Sequence, residues 1–185
     1  MEDARVRYTK MTIKNSLIEL LVEKPISKVS VTELCKQAGI NRATFYSHYV
    51  DIFDLYKQVE DELIAKVAEN LGPILSDECS NTEEVLESFF VFVDENRDVC
   101  RHFLSNIDDT GFTAKVVGFI EREFTNKWAH SRDIPEKMLK PTVLFAATGS
   151  IGILREWLKG NVKLSPAQLS QIIIMLTEKG ISGMI

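Results

Sequence analysis

The side chains best suited to chemistry are gathered in one short stretch between Ser30 and Tyr49: Arg42, Thr44, Tyr46, Ser47 and His48. Hydroxyls such as those of Thr44 and Tyr46 suit phosphate oxygens, contacts that position a protein on a nucleic acid without reading its sequence. A guanidinium such as that of Arg42 can chelate guanine O6 and N7, worth about 1–3 kcal/mol of discrimination against the wrong base. Recognition of a polyanion is the chemistry this stretch supports. Catalysis has no comparable signature. The chain holds no G-x-S-x-G, no Walker loop, no H-E-x-x-H and no Gly-rich dinucleotide turn. Gly149-Ser150 lies in a helical apolar run, the wrong setting for a nucleophile. The sequence predicts a binding protein and no enzyme.

Such groups act together only if two helices hold them at a fixed angle. Ser30 and Glu33 form a capping box opening one helix, with Val31, Leu34, Cys35 and Ala38 as its inner face. Gly39 supplies a turn, and Asn41 caps a short following helix that carries Phe45 and Tyr49 inward. Val31, Leu34, Ala38, Ile40 and Phe45 then lock the pair. Arg42, Ala43, Thr44, Tyr46, Ser47 and His48 are left on outward or end positions. This arrangement matches a helix-turn-helix, whose second helix fits a major groove about 12 Å wide. An ordinary helical hairpin with a polar outer face fits the same spacing, so geometry alone leaves both readings open.

The flanking elements are helical too. Ile13, Leu17, Leu20 and Leu21 make an amphipathic helix closed by Pro25. Asp51 caps a longer helix through Leu55, Val59, Leu63 and Val67, expected to stop at Gly72-Pro73. After an acidic, polar loop over 76–81, Asn81 and Glu84 open a helix faced by Val85, Phe89, Phe92 and Val93. Shorter helical pieces are expected around Val99–Leu104 and Phe112–Trp128, with a break over 131–135 and then a long helix to about Lys159. Ser165, Pro166 and Gln168 start the last helix, expected to end at Gly180. No alternating strand pattern competes. The prediction is an all-α chain of about nine helices, with a three-helix binding domain over 1–50 and a helical domain over 51–185.

Ala38-Gly39-Ile40, Thr44-Phe45-Tyr46, His48-Tyr49 and Asp51 with Leu55 resemble, at this spacing, the N-terminal domain of TetR/AcrR-type transcriptional regulators. Ile13–Lys24 resembles that domain's first helix. Thr148 to Leu158, followed by Ser165-Pro166, is similar to one C-terminal subtype of that family, the one with a G-x-x-G-x-x-x-x-W helix. The resemblance implies a homodimer on a palindromic operator in double-stranded DNA, a repressor rather than an activator. It implies phosphate contacts at Thr32, Thr44, Tyr46 and His48 and base reading at Arg42 and Ala43, with Ser47 beside them. The family commonly carries a Lys in the first turn of its fourth helix. Here that position is Ile52, so the Lys contact is missing and the free N–H groups of the helix start are left to hold a phosphate.

The resemblance also implies an effector enclosed by the middle helices. Phe89, Phe92, Phe103, Phe119, Phe124 and Phe145 are the candidate lining, with Arg101, His102 or Arg122 as polar handles. Core filling accounts for the same phenylalanines, and a partner protein docking in place of a small ligand is the alternative. Ala146, Ala147, Gly149, Ser150 and Gly152 make a small-residue face that lets another helix approach closely. Ala146, Gly149, Ile153 and Trp157, with Leu169, Ile172, Ile173 and Leu176 of the last helix, are the expected dimer interface. An intramolecular contact is the other reading.

Charge divides in the same place. Residues 1–50 hold eight Lys/Arg against five Asp/Glu, or +3, while the remainder holds fourteen against twenty-two, or −8. A weakly basic head on an acidic body means that only the head suits a polyanion, although a random scatter of surface charge gives the same count. Arg7, Lys10 and Lys14 fall at i, i+3 and i+7 on the first helix, where they touch flanking phosphates or simply face solvent. Cys35, Cys79 and Cys100 form no C-x-x-C and no disulfide framework. His48, His102 and His130 are dispersed without ligand spacing, so neither a metal nor a cofactor is implied. The longest uncharged runs, Pro141–Leu154 and Leu164–Thr177, are 14 residues each, short of the roughly 20 that span a bilayer. The N-terminus has no apolar signal core. The expectation is a soluble cytoplasmic protein that does not enter membranes.

Overall fold

The structure, a computed structural model, describes residues 3–75, 81–105, 111–131 and 135–182. The expected loop at 76–80 with Cys79, the break at 132–134, and the side chains of Trp128 and His130 lie outside the described residues. Among those described there are nine α-helices and no strand: α1 (Ala4–Glu23), α2 (Val31–Ala38), α3 (Arg42–Tyr46), α4 (Ile52–Leu75), α5 (Thr82–Glu95), α6 (Arg97–Ser105), α7 (Phe112–Ser131), α8 (Glu136–Leu158) and α9 (Pro166–Ser182). The chain forms two compact units, one ending at Leu63 and the other beginning at Ile64. The division therefore falls inside α4, later than the change of domain read from sequence at 50/51. Ile52, Leu55, Tyr56 and Val59 are buried and belong to the first unit.

In the first unit α1 packs on α2 and α2 on α3. Ile13, Leu17, Leu34, Phe45 and Leu55 are fully buried, one or more from each of the four helices. Every helix start along this run is closed by a local side chain. Ser30 Oγ accepts from the Glu33 N–H at 3.2 Å, Asn41 Oδ1 from the Thr44 N–H at 2.8 Å, and Asp51 Oδ1 from the Asp54 N–H at 2.8 Å. The capping box at Ser30 is only half formed, because the Glu33 carboxylate accepts from the Lys24 ammonium at 2.5 Å instead. The hydrogen bond from that ammonium, helped less by its charge and least by the Ser30 contact, holds the Glu33 carboxyl below its ordinary pKa against the opposing effect of burial. Gly39 turns the chain at φ +65°. The Ile40 N–H donates to Cys35 O at 3.0 Å and the Gly39 N–H to Lys36 O at 3.4 Å, a paired closure of the helix end that needs a left-handed residue.

In the second unit α5 lies along α9 and α7 along α8. Phe90 meets Phe89 at 5.4 Å and Trp157 at 6.5 Å between ring centroids, and Phe103 meets Phe112 at 5.3 Å. Leu139 and Val143 of α8 pack with Phe124 of α7 and Ala146. The fully buried Ser170 donates to Glu83 O at 3.1 Å, which pins α9 to the first turn of α5. Arg97 stands 4.5 Å over the Trp157 ring and donates to Trp157 O and Leu158 O at 3.1 and 3.3 Å. A cation on the last carbonyls of α8 satisfies groups that have no partner within the helix and offsets the negative end of its dipole. Arg155 Nε does the same for α6 at Leu104 O, 2.9 Å away.

Two helix ends differ from the sequence reading. α4 continues through Gly72 and Pro73 to Leu75, and α9 passes Gly180 to reach Ser182. Proline removes one donor from α4, but Leu71 and Ile74 on either side of it are buried, and Lys127 of α7 donates to Ile74 O. Gly180 permits a stop without forcing one. α8 likewise starts before Pro141 and takes it into its second turn, where only the first turn is free of helical N–H bonds. Ser165 and Gln168 make the reciprocal cap foreseen for α9, at 3.2 and 3.0 Å.

Candidate nucleic-acid interface

The seven residues singled out around the turn share one segment and one character. Thr32, Arg42, Ala43, Tyr46 and Ser47 are exposed, Thr44 and His48 are half-buried, and Phe45 and Tyr49 beneath them are buried. Phe45 is the anchor: its ring meets those of Tyr46 at 5.4 Å and Tyr49 at 5.6 Å. Ten residues apart and on different helices, Arg42 and Thr32 are brought together, with Arg42 Nη2 donating to Thr32 Oγ1. Thr44 Oγ1 donates to its own helix cap, Asn41 Oδ1, at 3.1 Å, and Ser47 Oγ donates to Thr44 O at 2.7 Å. To serve a phosphate, each must turn its proton outward. Tyr46 is 57% exposed and its hydroxyl bonds to none of the described residues, which makes it the readiest donor on this surface. His48 lies edge-on to Tyr49 at 6.3 Å.

The start of α4 does not form the phosphate seat expected there. Ile52 is buried, so the side chain at the family's Lys position turns into the first unit's core. The Val50 N–H donates to Asp54 Oδ2 at 2.9 Å and the Asp54 N–H to Asp51 Oδ1. The backbone bond from Val50, then Gln58, holds Asp54 below the ordinary carboxylate range, so the helix start carries negative charge of its own. A phosphate would meet two carboxylates. Val50 and Phe53 stand exposed beside them, at 79% and 60%. Sequence reasoning missed both, since an apolar residue next to a cap carries no sign of which way it faces.

On α1, Lys14 Nζ contacts both oxygens of Glu62 at 2.5 and 2.6 Å, which neutralises one of the three cations proposed for flanking phosphates. Arg7, Lys10, Met11, Lys14, Asn15 and Glu62 line a shallow cleft of about 300 Å³. Cys35 is buried, and burial pushes its thiol up against an opposing effect of Arg42. Cys100 is buried too, its thiol pushed up to about 12 by burial.

Candidate residues of the second unit separate by exposure. Phe89 and Phe103 are buried in the aromatic contacts described above, Phe92, Phe119 and Phe124 are half-buried, and Phe145 is 80% exposed and lines nothing internal. Of the polar handles, Arg101 is exposed, His102 meets Phe103 edge-on at 5.3 Å, and Arg122 lies 5.9 Å over Phe119. Among the dimer candidates, Trp157, Leu169 and Ile173 are buried within the protomer, and Trp157 Nε1 donates to Leu164 O at 2.7 Å. Gly149 and Leu176 are exposed, and Ala146, Ile153 and Ile172 half-buried. Leu144 of α8 and Met175 of α9 are exposed apolar residues that the sequence reading passed over.

A short helix anchored by one buried phenylalanine, set after a tight turn and presenting hydrogen-bond donors, defines the helix-turn-helix class of DNA-binding proteins. Residues 15–59 match the family model for bacterial regulatory proteins of the tetR family, and residues 80–179 the model for a transcriptional regulator C-terminal region. The chain belongs to the TetR family of transcriptional regulators. Solved structures share the fold. NalD, the secondary repressor of the MexAB-OprM multidrug efflux pump in Pseudomonas aeruginosa, superposes with a TM-score of 0.69 at 16% identity, over 95% of this chain and 97% of that one. The dihydroxyacetone kinase operon activator DhaS gives 0.66 at 17%, with the same coverage. A TetR transcriptional regulator from Streptococcus agalactiae gives 0.63 at 23%, over 94% and 95%. No curated protein matches the sequence. Among the described residues no helix is long and apolar enough to cross a membrane.

Proposed function

We propose that the protein acts as a homodimer that binds a palindromic operator through α2 and α3 and represses transcription until an effector engages its second unit. The observation that carries the DNA-binding part is the sorting of α3: Phe45 is fully buried, while Arg42, Ala43, Tyr46 and neighbouring Ser47 face solvent. In this reading Arg42 and Ala43 meet base edges, and Tyr46, Thr44, Thr32 and His48 meet the backbone. Two-fold symmetry would set two copies of α3 in successive major grooves, about 34–36 Å apart. The exposed apolar residues Leu144 and Phe145 of α8 and Met175 and Leu176 of α9, with Gly149 as a point of close approach, support self-association. Repression is the simpler outcome, because occupying an operator needs no further surface, whereas activation does.

The test is selection from random duplexes by purified protein, with sedimentation alongside. A palindromic consensus bound by two chains is the expected result. A stable monomer at micromolar concentration, or no enriched sequence, sinks the reading. For the effector, Phe92, Phe119 and Phe124 are the phenylalanines left within reach of a ligand. A metabolite screen by thermal shift should find a compound that raises the transition and releases the duplex. If only a co-purifying protein does so, the effector is a docked partner.

A further inference from the structure

We propose that Thr32 is a positioning residue for Arg42, fixing the guanidinium through its hydroxyl so that α3 discriminates at one base pair; this rests on the DNA-binding reading above. Arg42 is the first residue of α3 and Thr32 the second residue of α2. An arginine on a helix start projects a cation from the positive end of the dipole, and when exposed it ordinarily samples many rotamers. Here Arg42 Nη2 donates to Thr32 Oγ1 on the neighbouring helix. A threonine on a helix is confined to two χ1 rotamers, so the acceptor has few positions to sample. Thr32 lies three residues before Cys35, and Arg42 also acts on the Cys35 thiol, favouring its charged form. The hydroxyl contact therefore holds the guanidinium against α2, and its charge is felt as far as the buried Cys35.

The consequence is chemical. A guanidinium has five N–H donors in a rigid fork and no acceptor. One donor on Thr32 leaves four, already oriented, for the two acceptors of a guanine edge. Ordering lost before binding is not lost again on binding, so a held arginine discriminates better than a free one. The Thr32 hydroxyl accepts this bond and keeps its own hydrogen, which can still donate to a phosphate. Backbone contact and base reading are thereby linked through one side chain.

A phosphate contact alone and a positioning role make different predictions. The probe is the duplex enriched from a random library by the wild-type protein, with each base pair then substituted in turn. Thr32→Ala should reduce discrimination about fivefold at the base pair that Arg42→Ala also relaxes, and have much less effect in the Arg42→Ala background, as coupled neighbours do. Thr32→Ser, which keeps the hydroxyl, should restore the discrimination. Equal weakening of Thr32→Ala on every duplex, additive with Arg42→Ala, overturns the positioning role and leaves DNA binding intact. If the wild type enriches no duplex, the DNA-binding reading falls and takes this proposal with it.

Discussion

Replacing Phe145 by Ser should separate association from folding in one substitution. The ring is 80% exposed in the protomer, so nearly all of its apolar surface is still in water when the chain is folded. Burying a phenylalanine contributes about 1.5–3 kcal/mol. In a two-fold dimer each change counts twice, so the loss is about 3–6 kcal/mol. At about 1.4 kcal/mol per decade, the dissociation constant rises roughly a hundred- to ten-thousand-fold. Sedimentation velocity across a nanomolar-to-micromolar dilution series reads this directly, and the thermal transition of the diluted monomer reads the fold. Leu139→Ala is the complementary control. Leu139 is buried against Phe124, and its truncation should cost about 2–5 kcal/mol of stability with association unchanged. The reasoning fails if Phe145→Ser leaves the dissociation constant within threefold of wild type, or if it unfolds the monomer.

Arg42→Ala should relax preference at one base pair per half-site, whereas Tyr46→Phe should weaken every duplex alike; competition binding against substituted duplexes distinguishes them, and a uniform loss for Arg42→Ala rejects its base-reading role. Gly39→Ala should cost about 1–2 kcal/mol in urea denaturation through the left-handed backbone alone, because a Cβ there meets nothing within 4 Å. Burial raises the Cys100 thiol from its ordinary 9.0 to about 12. A raised folded-state pKa contributes stability that is complete below pH 9 and is lost as pH climbs toward 12. The melting temperature of wild type should therefore fall more steeply across that window than that of Cys100→Ala, and parallel slopes would refute the assignment.

What could be read from sequence was local. Ser30, Asn41, Asp51, Asn81 and Ser165 all accept from the N–H three residues on, as foreseen, because a cap and its donor are neighbours in the chain. The burial of Phe45 and Tyr49 followed from the turn at Gly39. Errors arose where distant packing decided. Nothing near Pro73 signals that Lys127 will reach the Ile74 carbonyl, and nothing near Arg97 points to the end of α8, 60 residues away. Helical periodicity marks apolar faces on α8 and α9 without saying which neighbour covers them. Trp157, Leu169 and Ile173 proved internal, while Phe145, assigned to a cavity, proved external. The exposure of the candidate site's residues was easier to read than that of the body because they lie within one short stretch. Even so, the Thr32–Arg42 contact crosses two helices and had no signature.

α3 is only five residues long, and Phe45 alone among them is buried. One buried side chain thus ties α3 to the fold, and its exposed neighbours add nothing to the core. Exchanging the exposed Arg42, Ala43 and Ser47 should change folding little, so under the proposed base reading an altered target preference is within reach of single mutational steps that leave a stable protein at every stage. The same looseness suits retargeting in the laboratory: a library randomised at these three positions, holding Phe45 and Gly39 fixed, should stay largely folded. Descendants of such a chain would diverge in the sites they occupy sooner than in the scaffold that carries them.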